Sequence, residues 1–294
     1  MKRLLLAAVT VVLALALTAG VGGASSPTNF HNDFEHKDDA TPKKSWFELG
    51  TGTIRREMSG FVSAYATGID SAHKSWHARL GTSGCTGPAT CFGPFTRWGE
   101  PNDGDFPKDG YATEIDVYLD TDWAVGKLDR RFDWSSAINA SNGSFRRDFV
   151  FNAGTSPLGD GSFDINASTN ATRSGAFPQN PCPNPLTPSP TQPAGCRTPL
   201  KITESGWYTL RHRFYDDDGV LAVKMSVSDH DSVLKEWKVS VPADDIETTG
   251  RARYGWFVIN EIDDLAADCS KLLKPGKEHP ELGASCTSQG DDED

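Results

Sequence analysis

Apolar and polar residues alternate one for one in a series of short runs, the sharpest of which spans residues 111–120. Period two places Ile115, Val117 and Leu119 on one face of a strand and Glu114, Asp116, Tyr118 and Asp120 on the other. The first face suits a core. The second carries three acids and a tyrosine at steps of about 7 Å. Further strands are expected at 60–67, 75–80, 92–98, 146–152, 162–167, 206–214, 220–227, 234–241 and 254–262, from alternation and from β-branched and aromatic content. Runs 206–214 and 220–227 flank Asp216-Asp217-Asp218-Gly219, which reads as a hairpin turn. Residues 122–126 read as a loop or a single helical turn leading to Phe132-Asp133-Trp134-Ser135, and one short helix is expected near 264–273. With no long 3.6-residue period, the pattern predicts an all-β chain, a sandwich of two packed antiparallel sheets.

Other stretches set the domain limits. Residues 1–24 have a basic start (Lys2, Arg3), an apolar run to Leu17 and small residues at Gly22 and Ala24, the pattern of a cleaved secretory signal. Residues 25–58 are expected to form an N-terminal arm leading into the domain, and 59–263 the sandwich. Residues 175–199 carry eight prolines, a density that bars interior strand or helix, so they read as an inserted surface loop. Residues 264–294 form an acidic tail. His31 and His36 lie in the arm and read as solvated.

Export changes the meaning of the six cysteines. Outside the cell they read as three disulfides, and proximity favours Cys85 with Cys91, Cys182 with Cys196, and Cys269 with Cys286, each stapling a loop or the tail. None has CxxC spacing and no histidines cluster beside them, which argues against zinc. The formal charge of −11 becomes more negative once Lys2 and Arg3 leave with the signal, which argues against nucleic acid or an anionic membrane as partner. The sequons at Asn139, Asn142, Asn166 and Asn170 read as loop composition.

Phe95-Thr96-Arg97-Trp98, the 111–120 strand, Arg147-Asp148-Phe149-Val150-Phe151, Gly206-Trp207-Tyr208 and Tyr254-Gly255-Trp256-Phe257 together resemble a recurring module of bacterial secreted and surface proteins, a concanavalin-A-like or jelly-roll β-sandwich. The resemblance spans about 59–263 and implies fold more than function, because this sandwich hosts lectins, carbohydrate-binding modules, hydrolases and lyases. Glu114-Ile115-Asp116 also resembles the start of the catalytic strand of laminarinase-type glycoside hydrolases. In that family a second Glu follows two or three residues after the Asp. Here Val117, Tyr118 and Leu119 stand there, and Asp120 is shorter and displaced.

These residues yield three functional expectations. Non-catalytic glycan binding, the first, would use aromatic platforms drawn from Tyr118, Trp76, Trp98 and Trp256, with Arg211 and Arg213 gripping acidic groups. The second is polysaccharide cleavage. Hydrolysis would use Glu114, Asp116 and Asp120, since a retaining mechanism needs carboxyls about 5 Å apart and an inverting one a wider gap; lyase chemistry would use Arg211, Tyr118 and His77. A structural envelope protein is the third. His212, in the apolar register, is expected to be a buried structural histidine. Turns at Asn102, Asp103 and Asp105 and at Asp216, Asp217 and Asp218 offer hard oxygens, so calcium is the expected cofactor. The expected partner is an extracellular polysaccharide and the expected location is outside the cell.

Overall fold

The computed structural model describes residues 30–63, 66–82, 92–98, 104–124, 130–155, 162–169, 199–262 and 264–273. In chain order the strands are β1 (Phe30–Asn32), β2 (Trp46–Phe47), β3 (Gly52–Met58), β4 (Val62–Ser63), β5 (Ala66–Thr67), β6 (Trp76–Thr82), β7 (Phe92–Thr96), β8 (Tyr111–Leu119) and β9 (Arg131–Ala140). They continue as β10 (Phe145–Thr155), β11 (Phe163–Thr169), β12 (Leu200–Ile202), β13 (Gly206–Asp217), β14 (Val220–Ser228), β15 (Val233–Asp245), β16 (Thr249–Asn260) and β17 (Leu265–Leu273). Among the described residues the helices are three 3₁₀ turns: Pro42–Lys44, Thr121–Ala124 and Ile246–Thr248.

An eight-stranded sheet runs β15-β14-β13-β8-β17-β6-β3, with β1 pairing β17 beside this path. A seven-stranded sheet runs β12-β11-β10-β9-β16-β7-β2. Every pairing is antiparallel, so the chain is the two-sheet sandwich that the alternation predicts. Strand alternation also fixes which side chains fill the space between the sheets. Ile115, Val117 and Leu119 of β8 and Leu210 and Phe214 of β13 face Phe132 and Trp134 of β9, Phe149 and Phe151 of β10 and Phe257 of β16, all fully buried. Each such side chain contributes about 1.5–3 kcal/mol of burial.

Several features differ from the sequence reading. The expected strand at 60–67 is instead two short strands, β4 and β5, paired antiparallel with each other. Residues 264–273 form no helix: β17 lies between β8 on one side and β6 and β1 on the other, and it is buried along nearly its whole length. A strand covered on both faces loses its alternation, so the apolar positions mimic other patterns. The expected arm at 25–58 supplies β1 and β3 to one sheet and β2 to the other. Its polar groups satisfy one another: the Asn32 side chain donates to the Asp39 carbonyl (2.9 Å), and Asp39 Oδ2 accepts from the His36 N–H (2.7 Å). Phe132 to Ser135 belong to a ten-residue strand, β9.

Cys269 is buried and disulfide-bonded. The other five cysteines, the expected signal segment and residues 175–198 of the Pro-rich stretch lie outside the described residues, as do Asn102 and Asp103.

Candidate functional site

The acidic row projects from the outer face of the eight-stranded sheet, and its neighbours are set by register. Across β8 and β13 the Cα partners are Glu114 with Arg211, Asp116 with Thr209, and Tyr118 with Trp207. Across β8 and β17 they are Glu114 with Lys271 and Asp116 with Asp268, with a bulge between. The bulge holds Cys269 at a φ of +50°.

Both carboxylate oxygens of Asp116 are taken. Oδ1 accepts from the Thr209 hydroxyl (2.5 Å), and Oδ2 accepts from His73 Nε2 (2.9 Å). Because a carboxylate only accepts here, that His73 nitrogen carries the proton. His73 also donates its backbone N–H to Asp268 Oδ2 (3.1 Å), and Asp268 Oδ1 accepts from the Cys269 N–H (2.8 Å). Asp268 is fully buried, and its carboxyl is pushed up to about 8, by desolvation first and then by the charges of Asp116 and Asp33 against the opposing effect of the two backbone donors.

His73 belongs to the 68–75 segment, which straps the outer face of this sheet. The Trp207 indole donates to the Asp70 carbonyl (2.8 Å), Ser71 meets His77 Nδ1 (2.9 Å), and Lys74 donates to Asp33 (2.8 Å). His77 is fully buried beneath it, with Glu57 3.7 Å from its other nitrogen, so it presents no base to solvent. Burial lowers its pKa.

Beside the strap the face opens. Glu114 Oε1 lies 3.2 Å from Arg211 Nε, and its other oxygen is 4.0 Å from Lys271. Tyr118 and Trp207 are half-buried and meet edge to face at 5.6 Å. Burial, then the charges of Asp120, Asp122 and Asp70, raises the Tyr118 hydroxyl. Arg213 is exposed on the same face. Asp120 sits past the strand end, where its Oδ1 accepts from the Asp122 N–H (2.9 Å).

The remaining predicted residues are dispersed. Trp98 is 1% exposed and lies edge-on to Phe30 and Trp134 in the core, which removes it as a ligand platform. Trp76 stands on β6 with the Arg56 guanidinium 4.2 Å from its ring centroid. Trp256 belongs to the other sheet. His212 is buried against Phe151 and Phe214, and burial pushes its pKa down to about 3. Of the calcium candidates, Asp216 accepts from the Gly219 N–H (2.7 Å) and so closes the hairpin turn, and Asp217 pairs with Lys238 (2.6 Å). Asp218 holds a φ of +56°, and Asp105 is exposed. His73, Asp116 and Cys269 bring potential metal-ligating atoms within 4.8 Å of one another. A disulfide sulfur has no thiolate charge, however, and the cluster therefore lacks the ligand a transition metal would want.

Sequence reasoning missed His73, Asp268, Trp207 and Lys271 as parts of one site. The alternation of 206–214 placed Thr209 on one face with Arg211 and Arg213, and Trp207 stands in the same register beside Tyr118.

No family model and no curated protein matches the chain. Among solved structures it is similar to the CBM2 module of the evolved Dit of Lactobacillus casei BL23 phage J-1, at 10% identity and a TM-score of 0.38 over 83% of this chain and 95% of that one. It is similar to Bacillus licheniformis β-glucanase at 11% identity and a TM-score of 0.33, over 85% and 100% of the two chains. It is similar to winged bean acidic lectin complexed with methyl-α-D-galactose at 8% identity and a TM-score of 0.36, over 83% and 97%. Likeness at this level carries no argument about the site.

Proposed function

We propose that this chain is a non-catalytic glycan-binding protein that works outside the cell, with its ligand on the outer face of the eight-stranded sheet beside the 68–75 strap. The observation that carries the reading is the state of the acidic row. A hydrolase needs two carboxyl groups free to reach the scissile bond, one protonated and one ionised. Here Asp116 is spent on Thr209 and His73, Asp268 is shut away, and Glu114 is held between Arg211 and Lys271. Such a network fixes geometry rather than performing chemistry. What it leaves half-open is the Tyr118–Trp207 pair next to charged groups, the combination of apolar ring and polar donor that sugars use.

The test is depletion of purified protein by laminarin, xylan and polygalacturonate, with new reducing ends counted in the same tubes. Binding without new ends is expected. Trp207→Ala should weaken it about tenfold, equivalent to about 1.4 kcal/mol. New reducing ends that disappear in Asp116→Asn would overturn the reading and make the chain a hydrolase.

A further inference from the structure

The outer face of the seven-stranded sheet is organised as two adjacent rows that cross the strands. Register defines the first row without a break: Phe47 of β2 pairs Phe95 of β7, which pairs Trp256 of β16, which pairs Ser135 of β9, which pairs Val150 of β10, which pairs Ser168 of β11. The second row, one step along the strands, holds Phe92, Val258, Asp133, Asn152 and Asn166. Both rows point outward, because the intervening Phe132, Trp134, Phe149, Phe151, Ile165 and Phe257 fill the core.

The two halves of these rows differ in chemistry. Over β2, β7 and β16 they are aromatic apart from Val258, with the Arg97 guanidinium beside Phe47 and Phe95 at 5.3 and 5.8 Å from their centroids. Phe92 stacks on Trp256 at 5.7 Å and 22°, Phe47 stacks on Phe95 at 5.1 Å and 19°, and Tyr254 meets Trp256 edge-on. The Trp256 indole donates to the Gly93 carbonyl (3.1 Å), so the ring is held in place while half-exposed. Over β9, β10 and β11 the rows are polar except at Val150, with Ser135 and Asn166 buried and Asp133, Asn152 and Ser168 half-buried. Asn152 Nδ2 donates to Asp133 Oδ1 (2.9 Å) and its carbonyl accepts from Ser168, a hydrogen-bonded chain across three strands. Burial raises the Asp133 carboxyl, while the Asn152 hydrogen bond and Arg131 oppose this.

We propose that this face is a second, separate carbohydrate subsite, which takes a neutral glycan lying across the strands with its rings on Trp256 and Phe95 and its hydroxyls on Asp133, Asn152 and Ser168. Strand spacing of about 4.8 Å is close to the length of one sugar residue, so each strand offers one contact per residue of an extended chain. An aromatic ladder that served only the sheet would have no use for an amide, a carboxyl and a hydroxyl joined at its end. The polar half suits hydroxyl groups, which both donate and accept, rather than an anion brought against the Asp133 carboxyl. The fixed Trp256 ring and the chained amide lose little freedom on binding. With the Trp207 face on the opposite side of the sandwich, one molecule would bridge two glycan chains.

The experiment removes the first face and asks whether the second still binds. Trp207→Ala protein is titrated calorimetrically with laminarihexaose, cellohexaose and xylohexaose. One of these neutral hexasaccharides is expected to bind. Adding Trp256→Ala should weaken that binding at least about tenfold, and adding Asn152→Ala instead should weaken it about threefold or more. Thermal midpoints establish that each variant folds, and Asn152→Ala carries the test if Trp256→Ala does not. No heat from any of the three at millimolar concentration, or binding unchanged in the folded double variants, overturns the second subsite. Neither result bears on the Trp207 face, which is judged by comparing native and Trp207→Ala protein on the polysaccharides.

Discussion

Alanine in place of Gly110 is expected to cost the fold about 4 kcal/mol and to lower its thermal midpoint by roughly 10 °C. Gly110 holds a φ of +78°, and a Cβ there would lie 2.0 Å from the Phe214 carbonyl oxygen. The left-handed conformation alone costs an L-residue about 1–2 kcal/mol. The contact adds about 1–3 kcal/mol or more, because its partner is backbone with no rotamer to yield. Gly143 separates the two effects. It holds a φ of +79° with nothing within 4 Å of its would-be Cβ, so Gly143→Ala should cost only the first contribution. The consequence for function is local. Gly110 enters β8 where Tyr111 stacks on Phe214 at 4.5 Å, and the same β8–β13 register sets Glu114 against Arg211 and Tyr118 against Trp207. Gly110→Ala protein that still folds should therefore also bind glycan more weakly. A midpoint drop equal to that of Gly143→Ala would show that the strand ends part without strain.

The division between what the chain announces and what it conceals follows from how each residue is positioned. Strand β8 was legible because a half-buried strand must alternate, and Ile115, Val117 and Leu119 are fully buried as that alternation requires. Strand β17 was hidden because both of its faces are covered, which erases the same signal. Within 25–58 the sequence looks solvated because its composition is polar, yet Phe34 and Trp46 are fully buried and the polar groups close on their own backbone. At the site, Glu114, Tyr118 and Arg211 were found because they sit on alternating strands. His73 and Asp268 meet Asp116 from distant parts of the chain, His73 through an irregular segment with no period to read. Indole composition could not separate Trp98 in the core from Trp256 on an outer face, nor tell that Trp256 and Tyr118 belong to different sheets. That last distinction is what turns one expected platform into two faces.

Between pH 6.5 and 8 the native protein is expected to lose about 1.6 kcal/mol of stability relative to Asp268→Asn protein. The sign follows from proton counting. The Asp268 carboxyl is raised from an ordinary 3.8 to about 8, so across that interval the folded chain holds a proton that the unfolded chain has released. Stability then falls as pH rises, at up to about 1.4 kcal/mol per unit. His212 acts in the opposite sense: its pKa is lowered from 6.5 to about 3, so its contribution grows as pH rises through 6.5 and levels off about a unit above. Burial lowers His31 and His77 as well, which adds to the rising slope. The histidines are the same in both proteins, so the difference between native and Asp268→Asn isolates the carboxyl across the whole interval. From pH 6.5 to 8 the thermal midpoint of native protein should therefore fall by roughly 5 °C relative to that of Asp268→Asn. The variant's absolute midpoint is a poor guide, because an amide places a donor against one of the two backbone N–H groups of His73 and Cys269. The difference between the two pH values is free of that cost. An equal change in both proteins would mean that Asp268 is ionised in the fold.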